Sequence, residues 1–333
     1  MSQESCDAIF AVLSKHYAWV MVSIVNSLSD LEAIVIRNPD LVFLGMEFIP
    51  NNPALGLQDP DRIWLSRYFD EHNIAYTGSS QRAHELERNK PLAKKCAIDA
   101  GLKTARFCVI GQYQTPIIAD IPLTFPVFIK PTSRGGGFGI DSDSLAYNFE
   151  QLRSKVEVIA TEFHSDSLVE EFLPGREFSV AILQDEHTTD LLVMPLELIA
   201  PKSEGGLRIL SSKIKSSNSE RAIGVTDPQI KSEVSALALG IFYALGARDY
   251  GRVDIRLDRY GVPHFLEANL IPSLISGYGS FPKACVLNLN LDYESMILRI
   301  TELGLARNLD NIKDVLELET NVTPFLESAF ETA

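Results

Sequence analysis

The stretch GRVDIRLDRYGVPHFLEANL, residues 251–270, leaves the chain less conformational choice than any other. Both halves alternate polar and apolar residues, the period of a strand, and a turn at Tyr260 and Gly261 separates them. An antiparallel hairpin follows. Alternation puts Arg252, Asp254, Arg256 and Asp258 on one face and Val253, Ile255 and Leu257 on the other. On the return run it groups Phe265, Glu267 and Asn269, with Leu266, Ala268 and Leu270 opposite. A register that pairs Asp254 with Glu267 also pairs Arg252 with Asn269. Two carboxylates and an amide oxygen then meet beside an arginine, and such hard oxygen donors suit Mg2+ with phosphate and water completing its shell. A solvated face with an Arg-Asp ladder is the plainer alternative. The irregular IPSLISGYGS after LEAN, where a ligand could lie, favours the metal.

A second constraint is FIKPTSRGGGFGI, residues 128–140, an apolar run that ends in Lys130 and opens into a glycine loop. It lacks G-x-x-x-x-G-K-[ST], it does not open directly into a helical pattern, and its lysine precedes the glycines. Three common nucleotide loops are thereby excluded. What remains is a loop between two strands whose glycines let backbone N–H groups approach phosphate oxygens and let the loop close as a lid. Taken alone, a tight turn with a lysine at its rim has equal standing.

The chain of 333 residues is long for one core, and its texture divides it in three. Residues 1–88 form an N-terminal α/β unit in which MVSIV, AIVI, LVFLGM and IAYTG read as strands of a small open sheet. Residues 89–185 form a central unit that starts with a helix punctuated by Asn89, Pro91 and Gly101 and contains the glycine loop. A second helix is expected from about 144 to 160, before the two strand-like runs of SLVEEFLPGREFSVAIL. Residues 186–333 form a C-terminal unit with a polar loop over 202–228, a helix and the hairpin.

Composition narrows the partners. Hydrophobic residues at 46% and charged residues at 22% describe an ordinary globular chain, and a net charge of -14 without a basic run argues against nucleic acid. The four cysteines form no C-x-x-C pair, the six histidines show no ligand spacing, and a reducing cytoplasm fits. AWVMVSIV at 18–25 is too short to span a membrane and reads as a buried strand.

Lys90, FPVFIKP, the glycine loop, LVEEFLPGREFSV, GRVDIRLD and FLEAN occur in the order seen in ATP-grasp enzymes. Over about residues 60–305 the pattern resembles the D-alanine-D-alanine ligase family most. The resemblance implies an α/β (α+β) ATP-grasp fold of three subdomains with ATP between two antiparallel sheets. It implies that Lys90 and Lys130 touch ATP phosphates, with Lys130 also near the adenine. Glu170 would accept from the adenine amino group, Glu171 and Leu173 would present backbone to the base, and Glu177 would hold the ribose. Asp254, Glu267 and Asn269 would bind two Mg2+, with Mn2+ as a substitute. Arg252 and Lys213 would be catalytic, the first stabilising charge on the acyl phosphate or the tetrahedral intermediate and the second contacting the γ-phosphate. Gly136 and Gly137 belong to this catalytic set as part of the lid, where the family tends to carry a serine pair.

Other departures also fall where the family meets its amino acids. The N-terminus offers no Gly-Gly-x-Ser stretch with its glutamate, Ile214 follows the loop lysine in place of tyrosine, and Pro272-Ser273 replaces Pro-Gly. The expected activity is therefore ATP-dependent ligation of a small-molecule carboxylate to an amine, through an acyl phosphate, with amino acids other than two D-alanines. Natural-product or peptide biosynthesis is the expected setting. D-alanine-D-alanine ligase is the alternative, and a phosphotransferase or a nucleotide sensor is the alternative of another class. Tyr278 and Ser280 are the expected contacts of the acceptor carboxylate, and a homodimer is the family-level expectation.

Overall fold

The computed structural model describes residues 1–133, 137–185, 188–202, 206–211, 213–214, 217 and 219–307, leaving aside the side chains at 57 and 58. Helix α1 (Gln3–His16) starts on Ser2 and α2 (Leu28–Arg37) on Ser27, which forms a capping box with Asp30. That cap imposes the helical period on a run that β-branched residues alone make look like a strand. AIVI therefore lies inside α2, with Leu31 and Ile34, three residues apart, turned to the core. MVSIV is also corrected. Residues 19–26 adopt no regular structure, and Trp19, Met21, Val22 and Ile24 are exposed. An extended run becomes a strand only when a neighbour pairs its backbone, and among the described residues nothing pairs with this one. LVFLGM and IAYTG contribute a single parallel bridge, Val42 to Tyr76. The strands that do form here are β1 (Phe48–Pro50) and β2 (Arg62–Trp64), a short antiparallel ribbon followed by α3 (Leu65–Glu71) and α4 (Gln81–Arg88).

Next come α5 (Lys90–Asp99), β3 (Phe107–Ile110), β4 (Val127–Pro131), β5 (Leu145–Ala146), α6 (Phe149–Glu162) and β6 (Ser167–Glu171). Helix α6 begins later than expected because Asn148 caps it and the preceding residues, Leu145 and Ala146, pair with β4. The strands make a four-stranded antiparallel sheet, order β3-β6-β4-β5. Leu152, Val156 and Ile159 of α6 cover it through Val127, Ile129 and Val169.

The second sheet has five antiparallel strands in the order β11-β10-β7-β8-β9. They are β7 (Glu177–Gln184), β8 (Leu191–Ile199), β9 (Arg221–Gly224), β10 (Tyr250–Leu257) and β11 (Pro263–Asn269). Helix α7 (Pro228–Ala244) packs Val234, Ala238 and Ile241 on it, and Ala93 and Ala97 of α5 join the same core. The run LVEEFLPGREFSVAIL thus divides between sheets, β6 in one and β7 in the other. The break is at Pro174-Gly175, where Gly175 donates to the Leu257 carbonyl at 3.0 Å. A Cβ there would sit 2.5 Å from that oxygen, so only glycine fits.

Beyond the hairpin, α8 (Ser280–Leu289) precedes a helix over 293–307. Arg307 at its end grips the buried Asp249 with two nitrogens, at 2.5 and 2.9 Å. Asp249 in turn accepts from the Gly78 N–H at 2.7 Å, which ties the end of the described chain to the N-terminal third. No described helix is long and apolar enough to cross a membrane.

Candidate active site

The hairpin sets the register expected of it. Arg252 lies opposite Asn269 and Asp254 opposite Glu267. Beyond that pair a β-bulge intervenes, so that Ile255 faces Phe265 and Leu266 is the extra residue. A bulge breaks the alternation of faces. Simple alternation put Phe265 with Glu267; instead Phe265 is fully buried in the core with Ile255, and Leu266 and Glu267, consecutive in sequence, both line one cleft.

The acidic end is held from both sides. Arg252 reaches the two Asp254 oxygens at 3.0 Å through Nε and Nη2, and Ser179 on the neighbouring strand donates to Oδ1 at 2.9 Å. The third arm of Arg252, Nη1, donates to the Ser280 hydroxyl at 3.2 Å, so the first residue of α8 belongs to this constellation. Tyr278, two residues earlier, has Lys283 over its ring at 6.0 Å, and partial burial with the nearby Glu220 pushes its hydroxyl pKa up.

Lys90 enters from the first turn of α5. Asn89 caps that turn by accepting from the Leu92 N–H at 3.0 Å, and the Lys90 N–H donates to the Thr132 carbonyl just past β4. Its ammonium is 3.6 Å from Glu267. Burial pulls its pKa down, and the attraction of Glu267 works against that. One turn on, Lys94 is fully buried and contacts Glu170 at 2.5 Å, Thr104 Oγ1 at 2.8 Å and the Phe265 carbonyl at 3.1 Å. The other Glu170 oxygen is 2.7 Å from Lys130.

Burial brings Lys94 down to about 8, the Glu170 charge opposing it. Burial likewise disfavours the charges of Lys130 and Glu170, but here the opposite charges prevail. Lys130 is held above the usual lysine value by Glu170 and Glu267, and Glu170 below the usual carboxyl value by Lys130 and Lys94. Glu170 is thus an anion locked between two cations. Lys94 escaped the sequence reading, although its i,i+4 spacing from Lys90 places both on one helix face.

The cleft lies between the two sheets. Its apolar lining includes Ala105, Phe128, Ile140, Phe172, Leu173 and Leu266, and its polar lining is Lys130, Glu170, Glu171, Glu177, Asp254, Arg256 and Glu267. Ile209 and Leu210, from the long polar segment, close one side. Glu171 pairs with Arg106 at 3.2 Å, and its N–H donates to the Arg106 carbonyl. Glu177 accepts from Arg256 at 2.8 Å, and Arg256 also donates to the Arg208 carbonyl, which fastens that segment to the sheet. Lys213, farther along it, is exposed and does not line the cleft.

Of the glycine loop, Gly136 lies outside the described residues. Gly137 has φ +77° and its carbonyl accepts from the Ile140 N–H at 3.0 Å, which turns Ile140 back to the cleft. Gly139 has φ +76°, and a Cβ on it would meet the Pro131 ring at 2.7 Å. Gly139→Ala is accordingly expected to cost about 1–3 kcal/mol from the left-handed backbone and the contact together. Chemical denaturation reads the loss, and an unchanged midpoint would contradict this geometry.

The N-terminal third reaches the same place. Glu87 accepts from the Leu270 N–H at 2.9 Å, one residue beyond Asn269, and its other oxygen meets the buried His84 at 3.0 Å. Glu47 pairs with Arg88 at 3.2 Å, and Arg62 and Arg88 lie over the Phe48 ring at 4.6 and 4.7 Å. Donor atoms of Glu47, His84 and Glu87 lie within 4.8 Å of one another. Burial and the neighbouring Glu87 push the Glu47 carboxyl up, against the pull of Arg88. This cluster was not read from the sequence, where its members lie scattered over two separate stretches.

Residues 99–302 match the family model described as "D-ala D-ala ligase C-terminus". Among curated proteins, "Uncharacterized protein y4sG" of Sinorhizobium fredii is 30% identical over 289 residues, 85% of this chain and 82% of that protein. The D-alanine-D-alanine ligase of Hydrogenovibrio crunogenus is 29% identical over 239 residues, 71% of each chain. Among solved structures, D-alanine-D-alanine ligase from Bacillus anthracis complexed with ATP superposes with a TM-score of 0.70 at 19% identity, covering 93% of this chain and 96% of that one. VanG D-Ala:D-Ser ligase from Enterococcus faecalis gives 0.59 at 23% identity, covering 72% and 68%. At such identities the superpositions establish the ATP-grasp fold alone.

Proposed function

The chain belongs to the D-alanine-D-alanine ligase family and is an ATP-dependent carbon-nitrogen ligase, and from that premise we propose that it joins an amino-acid carboxylate to an amine other than in the pair D-alanine plus D-alanine. The observation that carries the reading is the facing pair Asp254 and Glu267, braced by Arg252 and opening on the lysine-walled cleft between the sheets. The base of ATP lies in the apolar part between Phe128 and Leu266, the ribose on Glu177, and the phosphates toward Lys130 and Lys90. Leu173 and Glu171 offer backbone at the base end, and Lys213 is assigned to the γ-phosphate.

Asp254, Glu267 and Asn269 fit a divalent cation, because they offer oxygen donors from two pairs of one hairpin that lie two residues apart along the strands. These three would hold Mg2+, which when bound neutralises phosphate charge. A donor carboxylate oxygen attacks the γ-phosphorus as the bond to the bridging oxygen breaks, giving an acyl phosphate and ADP. The amine nitrogen then attacks the acyl carbon, the carbon-oxygen bond to phosphate breaks, and the nitrogen gives up a proton as phosphate departs. Arg252 stabilises the negative charge that grows on the carbonyl oxygen. Ser280, fixed by Arg252, and Tyr278 beside it receive the acceptor's carboxylate.

The substrate reading rests on what surrounds this core. The expected N-terminal glycine-serine stretch and glutamate are missing, and a cluster of Glu47, His84, Glu87 and Arg88 abuts Leu270 instead. Three subdomains are assigned on this basis as 1–88, 89–185 and 186–333, with β7 lent by the second to the sheet of the third. ATP turnover with amino acids offered singly and in pairs, with products weighed by mass spectrometry, tests the assignment. A condensed mass is expected only with a pair other than two D-alanines. Full turnover with D-alanine alone would return the chain to the commoner activity of the family, and a phosphorylated product without condensation would make it a phosphotransferase.

A further inference from the structure

We propose that Lys94, which does not reach the cleft, is a positioning residue that sets the selectivity of the nucleotide pocket for adenine; the inference rests on the ATP reading above. The Lys94 ammonium meets acceptors from both walls of the cleft. Glu170 belongs to the four-stranded sheet, Phe265 to the five-stranded one, and Thr104 lies between them and itself donates to the Phe265 carbonyl at 2.8 Å. The Lys94 side chain touches both sheets and stays out of the cleft.

Two consequences follow from these bonds. An ionised carboxylate has about four lone-pair positions. Lys94 faces the fully buried Oε1 of Glu170 at 2.5 Å and Lys130 faces Oε2 at 2.7 Å, so the two cations fix the plane of the group and keep it an anion, a pure acceptor in the lining of the cleft. Such an acceptor welcomes the 6-amino group of adenine and repels the 6-carbonyl of hypoxanthine or guanine. The bond to the Phe265 carbonyl, meanwhile, pins the residue just before the bulge that turns Leu266 into the cleft. One buried cation therefore holds both the acceptor that reads the edge of the base and the backbone beneath the side chain that covers its face. Without it, Glu170 keeps a single cation and is free to rotate toward Lys130 or take up a proton, and a protonated carboxyl donates to a 6-carbonyl.

The test is direct binding of ATP and of inosine triphosphate, without amino acids, to the wild-type chain, Lys94→Met and Thr104→Val, each checked for a cooperative melt. The wild type is expected to prefer ATP. Lys94→Met is expected to reduce that preference about tenfold, the loss of one charge-assisted hydrogen bond at the base. Thr104→Val, which removes one partner of Lys94 without removing the charge, is expected to reduce it less. Folded variants that weaken both nucleotides by one factor, leaving the preference intact, would make Lys94 a merely structural group and overturn the inference. Should Lys94→Met not fold, the preference of Thr104→Val decides alone. A wild type that binds both nucleotides alike would overturn this inference and leave the ATP site standing, whereas one that binds neither would sink the ATP-site reading and this inference with it.

Discussion

Glu267→Ala is expected to lower kcat by about 10³-fold or more while the chain keeps its fold and most of its nucleotide affinity. Glu267 sits at the junction of three features: the pair with Asp254 across the hairpin, the 3.6 Å approach of Lys90, and the bulge that aims it into the cleft. Removing it withdraws a carboxylate from the donor set proposed for Mg2+ and leaves Lys90 facing less negative charge. Charge stabilisation during phosphoryl transfer is worth several kcal/mol, which sets the scale. The fold persists because Glu267 belongs to no core cluster, and the loss of stability is confined to the pairing with the buried Lys90. Single-turnover ADP release compared with equilibrium ATP binding separates the two effects. A variant that binds ATP and still turns over at more than a tenth of the wild-type rate would remove Glu267 from the catalytic set.

The reason this residue could be named from sequence is specific to hairpins. Period-two alternation on both runs and a short turn leave few registers, and pairing Asp254 with Glu267 followed from one of them. The bulge at Leu266 left no mark, since no glycine or turn residue announces it in HFLEANL; packing of Phe265 against Ile255 decides it. In the N-terminal third the reverse happened. AIVI looked like a strand by composition, but the capping box three residues upstream of its start, Ser27 with Asp30, was the stronger and legible signal. Lys94 had a visible signal in its spacing from Lys90, but its meaning depends on Glu170 and Phe265, whose distance in sequence hides them. Local periodicity reads well here, and charge networks that close across sheets do not.

Glu170→Gln is expected to destabilise the fold by about 3–5 kcal/mol, the usual result of removing one partner from a buried ion pair. The amide keeps the shape but leaves Lys94 and Lys130, both buried, without the anion in direct contact with them. The pH dependence has a definite sign. Lys130 and Lys94 hold the Glu170 carboxyl below its ordinary value against the opposing pull of burial, so its contribution is fully present above the unfolded carboxylate range and is lost as pH falls through the depressed folded value. The gap in stability between wild type and Glu170→Gln should therefore be widest near neutrality and narrow in acid. Lys94→Met combined with Glu170→Gln should recover part of the loss, because a neutral pair of similar shape carries no stranded charge at that position. Denaturant titrations of the four proteins across pH measure all of this. If the double variant were less stable than Glu170→Gln by the full effect of Lys94→Met, the two residues would not be coupled, and the short contact between them would contribute nothing.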